Sequence, residues 1–540
     1  MQRIISTFTL TFSFYFLAAQ SFNGFTLYNA QGSNTTYLID ENQQIAHTWN
    51  MTSECNYTVQ LKKNGNLIRG TKNPGNILGG AAEAGKVQEI APDGSVVWEY
   101  VYSSSDYLSH HDLTLIGDNV LLTAWEVKSA SEVANAGYTG NVGNSGKWPT
   151  HFIELEPDGN GGANIIWEWH IWDHLCQDVD PNKPNYTSDI SDHPELIDIN
   201  MIQSPGGGGG GGGQGGDWFH INGVDYNEDL DQIAFSSRFA SEIYIIDHST
   251  TTNEAASHAG GNSGMGGDIL YRWGNPSNYG ISGQQVIPDA VHDVRWIEDD
   301  GRPNSGYLQI FNNKGISSNQ SSIDGIETPI DPNNPYKYER VSGQAFEPFS
   351  YTTRDICQYL DQGNFVNGSA PGQSASDRMS NGNIYINASG GQGGDGVMYE
   401  IDPSGNLIWG PHFAIGSNNG AQKGFRYECD YEGIQALEPY MNNTSSTSCF
   451  DQTDFENIFQ EKYFSIYPNP TNRFVNIRLN KYFKSIYIYN ILGEKILENI
   501  FLVNQNEVEF DFQGFQNGLY MIRLEDNLGN HYSEILSYIK

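Results

Sequence analysis

The same order of turns and strands occurs at three places in the chain. Each copy has a turn built on an Asn-Gly or Gly-Asp pair, two apolar strand segments, a Pro-x-Gly turn and a last strand. The last strands contain Trp98, Trp167 and Trp409, which we expect to lie in the core. Asn-Gly and Asp-Gly pairs supply the positive φ that hairpins require. Repeated units of this kind predict the blades of a β-propeller.

Two weaker copies at residues 231–247 and 294–311 continue the pattern. Six blades between residue 25 and about residue 440 would average about 70 residues each. That exceeds the usual blade of ~40–50 residues, so we expect long insertions between strands, for example at residues 178–216 and 249–276. The alternatives for this region are a β-sandwich or two unrelated all-β domains.

The composition favours an all-β protein that is exported. Glycine accounts for 60 of 540 residues, and few segments show helical periodicity. The net charge is −36, from 28 basic and 64 acidic residues. Phosphate contacts need clustered Lys and Arg, so we expect no nucleic acid partner. The negative charge is consistent with a secreted protein that must stay soluble.

Residues 1–20 have the order of a signal peptide. A short basic start is followed by an apolar run from Ile4 to Phe16, and small residues precede Gln20. This order predicts cleavage near Ala19 or Gln20. An uncleaved anchor is the alternative, but the run is short for a span of about 20 residues. Since no later stretch can cross a bilayer as a helix, we expect no transmembrane segment in the mature chain.

The five cysteines form no Cys-x-x-Cys pair, so the sequence does not support a structural zinc site. Export permits disulfides, and Cys429 with Cys449 is the most local candidate pair.

A second unit follows a polar linker at residues 444–463. Alternating strands and turns at residues 464–540 predict a small Ig-like β-sandwich. Three of its motifs are a Tyr-Pro-Asn-Pro start at Tyr467, an Asn-Ile-Leu-Gly-Glu turn at Asn490 and a Gly-Leu-Tyr-Met-Ile-Arg strand at Gly518. In these motifs the unit resembles the type A sorting domain of the type IX secretion system. The resemblance implies recognition by that machinery, export past the outer membrane and removal of this domain. The mature protein would be secreted or attached to the cell surface.

Histidines mark the starts of several predicted strands. His111, His220 and His292 each open a blade-like strand, and such starts can converge at one end of a propeller channel. Converging imidazoles serve metal binding, acid–base catalysis or covalent transfer. His220 lies in Asp217-Trp218-Phe219-His220-Ile221-Asn222, after eight glycines at residues 206–213 that we interpret as a flexible insertion. His170 and His174, four residues apart, predict a short helical insertion and no metal.

Residues 25 to about 410 resemble the bacterial arylsulfate sulfotransferases. The segments that carry the resemblance are Phe25–Asp40, His47–Trp49, His110–Asp112, Trp167–His170, Asp217–Asn222, Ser236–Arg238, Tyr271–Pro276 and His292–Asp293. The resemblance implies a six-bladed propeller at residues 21–443. It also implies transfer of a sulfuryl group from a phenolic sulfate to a phenolic acceptor through a histidine. The transfer would use no nucleotide sulfate donor, no cofactor and no metal.

The candidate site residues come from matching these motifs and strand starts. His220 and His292 match the family's channel histidines, Arg378 matches an arginine before the last blade, and His111 is the third histidine at a strand start. One imidazole nitrogen can accept the sulfuryl group, and a second histidine can move protons. An arginine can stabilise the charge on the sulfuryl oxygens.

The chain departs from the family at two points. In the family, the sulfated histidine lies after the position that His292 matches. Between His292 and the sorting domain this chain has only His412, which we expect to lie in a loop. A Gly-Arg pair is replaced by Lys314-Gly315. The main alternative is therefore a non-catalytic secreted or cell-surface propeller that binds glycans or other ligands. A metal-dependent hydrolase built on His111, His220 and His292 is a third hypothesis.

Overall fold

The computed structural model forms two compact units, Met1–Asp451 and Gln452–Lys540. The signal-peptide prediction, the glycine run and all of the predicted linker except Cys449 lie outside the described residues. The described residues are 21–30, 32–143, 146–203, 216–318, 320–361, 364–367, 372–389, 396–416, 420–442, 449, 464–479, 483–490, 495–500, 507–526 and 531–539.

The described residues of the first unit form six antiparallel sheets of four strands. The chain begins with three strands of sheet 1: β1 (Gly24–Ala30), β2 (Thr35–Ile39) and β3 (Ile45–Asn50). Sheet 2 contains β4 (Cys55–Leu61), β5 (Leu67–Lys72), β6 (Gly85–Ile90) and β7 (Val96–Val101). Sheet 3 contains β8 (Tyr107–Ile116), β9 (Asn119–Glu126), β10 (Thr150–Pro157) and β11 (Ala163–His170).

The next three sheets follow in chain order, with short strand pairs between them. The pair β12 (Leu175–Cys176) and β13 (Ile197–Asp198) precedes sheet 4, which contains β14 (Ile221–Asn227), β15 (Gln232–Ser237), β16 (Glu242–Asp247) and β17 (Ile269–Trp273). Sheet 5 contains β18 (Val291–Trp296), β19 (Leu308–Ser317), β20 (Gln320–Ile326) and, after the pair β21 (Ile330–Asp331) and β22 (Asn334–Tyr338), β23 (Thr353–Ile356). The pair β24 (Gln358–Asp361) and β25 (Asn364–Asn367) precedes sheet 6, which contains β26 (Ala375–Arg378), β27 (Ile384–Ala388), β28 (Val397–Ile401) and β29 (Leu407–His412).

A strand from the end of the unit completes sheet 1. Strand β30 (Ala421–Glu428) pairs antiparallel with β1, with Phe25 opposite Tyr427. We call β4, β8, β14, β18, β26 and β30 the leading strands. Each leading strand contacts the next in this order, and β30 contacts β4, so the contacts close into a ring.

Helices are few and short in the described part of the chain. They are α1 (Ala130–Asn135), α2 (Thr252–Ala255), α3 (Glu432–Leu437) and 3-10 turns at Ile171–His174, Ile190–Asp192, Pro276–Tyr279 and Glu438–Tyr440. The turn at Ile171–His174 is the short helical insertion that the histidine spacing predicts. No helix among the described residues is both long enough and apolar enough to cross a membrane.

The apolar core of the first unit lies between neighbouring sheets. One cluster joins Phe152 and Trp169 of sheet 3 to Phe235 and Tyr244 of sheet 4. The three repeat tryptophans are buried, as the repeat predicts: Trp98, Trp167 and Trp409. A disulfide joins Cys429 and Cys449, the most local pair in the sequence.

In its described residues, the second unit forms two antiparallel sheets that share one core. The first contains β31 (Phe464–Tyr467), β32 (Phe474–Leu479) and β35 (Glu507–Asp511). The second contains β33 (Phe483–Asn490), β34 (Lys495–Ile500), β36 (Gly518–Asp526) and β37 (His531–Tyr538). Val475 and Phe510 of the first sheet and Ile486 and Ile522 of the second belong to the same buried cluster.

One buried ion network connects all six leading strands. The Lys423 ammonium on β30 lies 2.6 Å from the Asp112 carboxylate on β8 and 2.9 Å from the Asp293 carboxylate on β18. The two carboxylates also accept hydrogen bonds from the remaining leading strands, through Thr58 on β4, Val224 on β14 and Ser376 on β26. All three charged side chains are buried, so the network is well screened from water.

We expect the Lys423→Met variant to lose about 3–5 kcal/mol of unfolding free energy, because it leaves the buried Asp112 carboxylate without its cation. Asp293 keeps Arg295, whose Nε lies 3.0 Å from Oδ1. Urea unfolding followed by tryptophan fluorescence measures this loss in the first unit, since all 11 tryptophans lie between residues 49 and 409. The control is Lys337→Met, whose side chain is 62% exposed beside Asp331. It should change the free energy of unfolding by less than about 0.5 kcal/mol. Equal midpoints for the two variants would contradict the role of Lys423.

Candidate functional site

Three neighbouring leading strands begin with irregular backbone that carries the histidines. The pairing register shifts between Ser109 and Leu113 in β8, between Ile221 and Gly223 in β14, and between His292 and Arg295 in β18. Such bulges re-aim side chains at functional sites.

Non-glycine residues at or directly before these bulges have left-handed backbone conformations. The φ values are 49° at His111, 51° at His220 and 51° at Asp293. A conformation of this kind costs on the order of 1–3 kcal/mol, so the surrounding structure must hold each residue in place.

Asp217 orients the imidazole of His220. The Nδ1–H group of His220 donates to Asp217 Oδ2 at 2.6 Å, and the backbone N–H of His220 donates to Oδ1 at 3.0 Å. The indole N–H of Trp125 also donates to Oδ1, at 3.1 Å. Burial would raise the pKa of Asp217, but the nearby histidine charge and these hydrogen bonds hold it below its ordinary value.

The pairing with Asp217 leaves the lone pair of His220 on Nε2. Within the described part of the chain, no group hydrogen-bonds this nitrogen. The ring stacks on Phe239 at a centroid distance of 4.8 Å and meets the His111 ring edge-on at 4.6 Å. His220 is therefore held rigidly while its basic nitrogen stays available.

The sequence around His220 explains this rigidity. Trp218, Phe219 and Ile221 are fully buried and anchor the turn in the core. The hydroxyl of Ser237 donates to the Phe219 carbonyl at 2.6 Å. Asn222 reaches the next leading strand, where its amide donates to the Val291 carbonyl at 2.8 Å.

His110 and His111 form a neutral pair beside His220. Their Nδ1 atoms are 2.8 Å apart, so one donates its proton to the lone pair of the other. The His110 ring stacks on Trp125 at 4.0 Å. Burial lowers the pKa of His110 to about 3 and also holds the pKa of His111 well below its ordinary value.

His292 uses both of its ring nitrogens in hydrogen bonds. Nδ1 lies 2.7 Å from Asn313 Oδ1 and 2.9 Å from the Ala290 carbonyl, so it carries the proton. Nε2 accepts the backbone N–H of Gln373 at 3.2 Å. Burial, followed by the charge of Arg238, lowers the pKa of His292 to about 3. This imidazole is neutral and its lone pair is already engaged.

Arg238 places a cation beside the histidines. It directly follows β15, and its backbone N–H donates to the His220 carbonyl at 3.2 Å. Its charge contributes to the lowered pKa values of His111 and His292. The buried Tyr57 ring lies 5.5 Å from the His111 ring and completes this end of the ring of leading strands.

The structure brings His111, His220 and His292 together, whereas the partners of Arg378 in the described part of the chain are other residues. Arg378 is the last residue of β26, where it pairs with Asp355 at 3.4 Å. Gln373, whose backbone N–H contacts His292, lies five residues before Arg378 and precedes the same strand.

The later residues that the sequence comparison singled out have other partners. His412 ends β29, where its Nε2 lies 3.0 Å from the Tyr28 hydroxyl, so it belongs to a strand and not to a loop. Lys314 is partly exposed and lies 3.6 Å from Asp289.

Three groups with roles at the site were not singled out from the sequence. Two of them lie within motifs of the sequence. Asp217 lies three residues before His220, and Arg238 directly follows the Ser236-Ser237 pair. Lys423 has no motif, since it stands between Gln422 and Gly424 in β30. The His111-Asp112 and His292-Asp293 pairs are a further signal, because the acidic residue of each pair binds Lys423.

The chain matches two family models. Residues 14–326 match the model described as Arylsulfotransferase (ASST), which covers more than half of the chain. Residues 465–537 match the Secretion system C-terminal sorting domain. No curated protein matches the chain. Arg378 lies beyond the matched residues, whereas His111, His220 and His292 lie within them.

Solved structures show only a distant likeness. A protein of unknown function from Bacteroides caccae is 11% identical, with a TM-score of 0.36 over 72% of this chain and 93% of that chain. Hydrazine synthase from Kuenenia stuttgartiensis is 13% identical, with a TM-score of 0.32 over 57% and 69%. A protein from Lactobacillus plantarum is 9% identical, with a TM-score of 0.35 over 75% and 100%. We draw no argument from likenesses at this level.

The sorting domain directs the protein to export, so it is secreted or displayed at the cell surface. On these matches, the chain belongs to the arylsulfotransferase family and ends in a type IX secretion sorting domain.

Proposed function

We propose that the protein is an exported enzyme that transfers a sulfuryl group between phenols through His220. The observation that carries the proposal is the Asp217–His220 pair, whose open Nε2 belongs to a group of histidines on which the charge of Arg238 acts. We propose further that the ring of six sheets is a six-bladed propeller at residues 21–443, and that residues 464–540 form an Ig-like sandwich after a linker at 444–463.

In the first step, the Nε2 lone pair of His220 attacks the sulfur of a phenolic sulfate. The N–S bond forms while the S–O bond to the aryl group breaks, and the phenolate leaves with the electron pair. The proton on Nδ1 stays in its hydrogen bond to Asp217. The ring becomes a sulfoimidazolium whose positive charge faces the Asp217 carboxylate, which stabilises the intermediate.

In the second step, a phenolic acceptor attacks the same sulfur. The new S–O bond forms, the S–N bond breaks, and the electron pair returns to Nε2. The acceptor loses its proton and the first phenolate gains one, so the overall exchange conserves protons. We assign this proton transfer to His111, a neutral imidazole whose ring lies 4.6 Å from that of His220.

The other groups hold and polarise the sulfuryl oxygens. The Arg238 guanidinium is the cation for the charge that develops on three oxygens. His292 acts as a neutral wall of the site and keeps Gln373 in place through the 3.2 Å hydrogen bond. This assignment gives no transfer role to Arg378, whose side chain pairs with Asp355.

A propeller that binds anionic aromatic ligands without turnover is the second candidate. The observation that favours it is the engaged Nε2 of His292, which leaves only one well-oriented imidazole for a two-step transfer. Both candidates predict ligand binding near Arg238, and only the enzyme predicts a covalent sulfohistidine.

We expect the mature chain to release 4-nitrophenol from 4-nitrophenyl sulfate when phenol is present, with parallel lines in double-reciprocal plots. His220→Ala should lower kcat by at least about 10⁴-fold, because the nucleophile is lost. The control is His193→Ala, a partly exposed histidine beside Glu195 that should retain activity. Wild-type binding of the sulfate without release of nitrophenol would reject the enzyme in favour of the binding protein.

We expect Asp217→Asn to lower kcat by about 10²–10⁴-fold with little change in KM, because the amide favours the wrong imidazole tautomer. Asp231→Asn is a matched control. Asp231 is not part of the site, and its carboxylate lies 2.6 Å from His248 Nδ1, the same distance as in the Asp217–His220 pair. Steady-state kinetics of the two variants provide the measurement. Comparable losses in both would show that Asp217 only stabilises the fold.

We expect His110 and His292 to remain neutral at pH 5, because burial holds the pKa of each at about 3. His170 and His248 should be charged at pH 7, because after the cost of burial their carboxylate partners raise each pKa to about 9. NMR titration of imidazole-labelled protein, with single histidine substitutions for assignment, measures both groups.

The same pKa shifts set the sign of the stability change. An unfolded histidine titrates near pH 6.5, so below that pH the unfolded state binds protons that His110 and His292 do not. Their contribution to stability therefore falls as the pH drops from about 6.5 towards 3. A charged His292 signal at pH 6 would contradict its role as a neutral wall.

A further inference from the structure

A second histidine cluster lies at the outer strands of sheets 3 and 4. The segment between β16 and β17 carries α2 and His258, and α2 packs against β11, the last strand of sheet 3. The 3-10 turn Ile171–His174 follows β11 directly, and Asp268 directly precedes β17. Residues from two sheets therefore meet at one point.

Three potential ligand atoms converge at this point. Asp268 Oδ1 lies 2.8 Å from His174 Nδ1 and 2.7 Å from His258 Nδ1, and the three atoms all lie within 4.8 Å of one another. Within the described residues, this is the one group of three or more His, Cys, Asp or Glu side chains whose ligand atoms converge in this way. Among these same residues, His111, His220 and His292 form no such group.

The hydrogen bond on the far side of His174 assigns its tautomer. His174 Nε2 lies 2.8 Å from the Ala255 carbonyl, and a carbonyl oxygen can only accept, so Nε2 carries the proton. In a neutral imidazole, Nδ1 then has a lone pair, and this lone pair faces the Asp268 carboxylate. A metal ion can use this lone pair together with an oxygen of the Asp268 carboxylate.

We propose that His174, His258 and Asp268 bind a divalent transition-metal ion of the Zn²⁺ class. Two imidazole nitrogens and one carboxylate oxygen form a set that suits Zn²⁺, which leaves the fourth position for solvent. The Ala255 carbonyl is the outer partner that metal-binding histidines ordinarily have on their second nitrogen. The His258 side chain is 61% exposed, so the ion has a path from solvent.

The surroundings hold the buried ligand in position before any ion arrives. The His174 ring stacks on Trp169 at a centroid distance of 5.5 Å and an interplanar angle of 7°. The Trp169 indole N–H donates to the Gly267 carbonyl at 2.7 Å, next to Asp268. A Cβ atom on Gly267 would lie 2.7 Å from His174 Nε2, so the close approach requires glycine.

This site differs from the sequence-based expectation of no metal at His170 and His174. His170 does take no part, because it pairs with Glu126 and Glu168. The partners of His174 are residues 84 and 94 positions further along the chain, and no local spacing connects them. The bound ion would connect the segment between β16 and β17 to sheet 3. Its binding free energy would add to the stability of the folded state.

The test is a calorimetric titration of Zn²⁺ into untagged mature protein that has been stripped with a chelator. We expect one equivalent to bind and to raise the Tm. His258→Ala and Asp268→Asn should each weaken binding by at least tenfold. His193→Ala is the matched control, since His193 Nδ1 lies 2.9 Å from a Glu195 carboxylate oxygen without a third ligand. It should bind Zn²⁺ as the wild type does.

Absorption spectroscopy detects metal binding directly, without relying on a change in Tm. Co²⁺ bound in place of Zn²⁺ should give the visible absorption of a tetrahedral site, and His258→Ala should abolish it. Because His258 is a surface residue, this variant should keep the wild-type circular dichroism. Absence of stoichiometric binding by the wild type, or binding that survives both substitutions, overturns the proposal.

Discussion

The ion network of Lys423, Asp112 and Asp293 is the interaction on which the first unit depends. It is the point where side chains or backbone groups of all six leading strands meet. Burying three charges costs several kcal/mol per ion, and the cost is offset only when every partner is in place. A network of this kind therefore penalises any arrangement in which one leading strand is missing or shifted. It favours a closed ring over an open stack of sheets.

The same network couples the fold to the histidines. Asp112 follows His111 and Asp293 follows His292, so each carboxylate that binds Lys423 also fixes the backbone beside a site imidazole. His111 and Asp293 have positive φ, and the strain is sustained because the adjoining side chains are tied to a buried cation. The interactions that close the ring therefore also orient the histidines. A substitution of Lys423 would disturb the ring of strands and the orientation of the histidines.

The sequence predicted the parts of the structure that depend on local patterns. Turn residues and alternating apolar residues located the strands, the buried tryptophans and the second unit, and the matched motifs located His111, His220 and His292. Contacts between distant segments left no local pattern. The pairing of β30 with β1 joins residues about 400 positions apart, and the approach of Asp268 to His174 depends on how two sheets pack. Arg378 was predicted from a motif position alone, and such a position does not give the partner of a side chain, which in the structure is Asp355.

The hydrogen bonds of the three histidines distinguish them as candidate nucleophiles for the transfer that we propose. A nucleophilic imidazole needs a fixed tautomer and an unoccupied nitrogen. His292 has the first but not the second, because Gln373 occupies its Nε2. His111 lacks a carboxylate partner and shares its Nδ1 with His110. His220 has both, since Asp217 holds the proton on Nδ1 and Nε2 remains open. In the transfer that we propose, the nucleophile is therefore His220, because it alone among the three histidines has both a carboxylate on Nδ1 and an open Nε2.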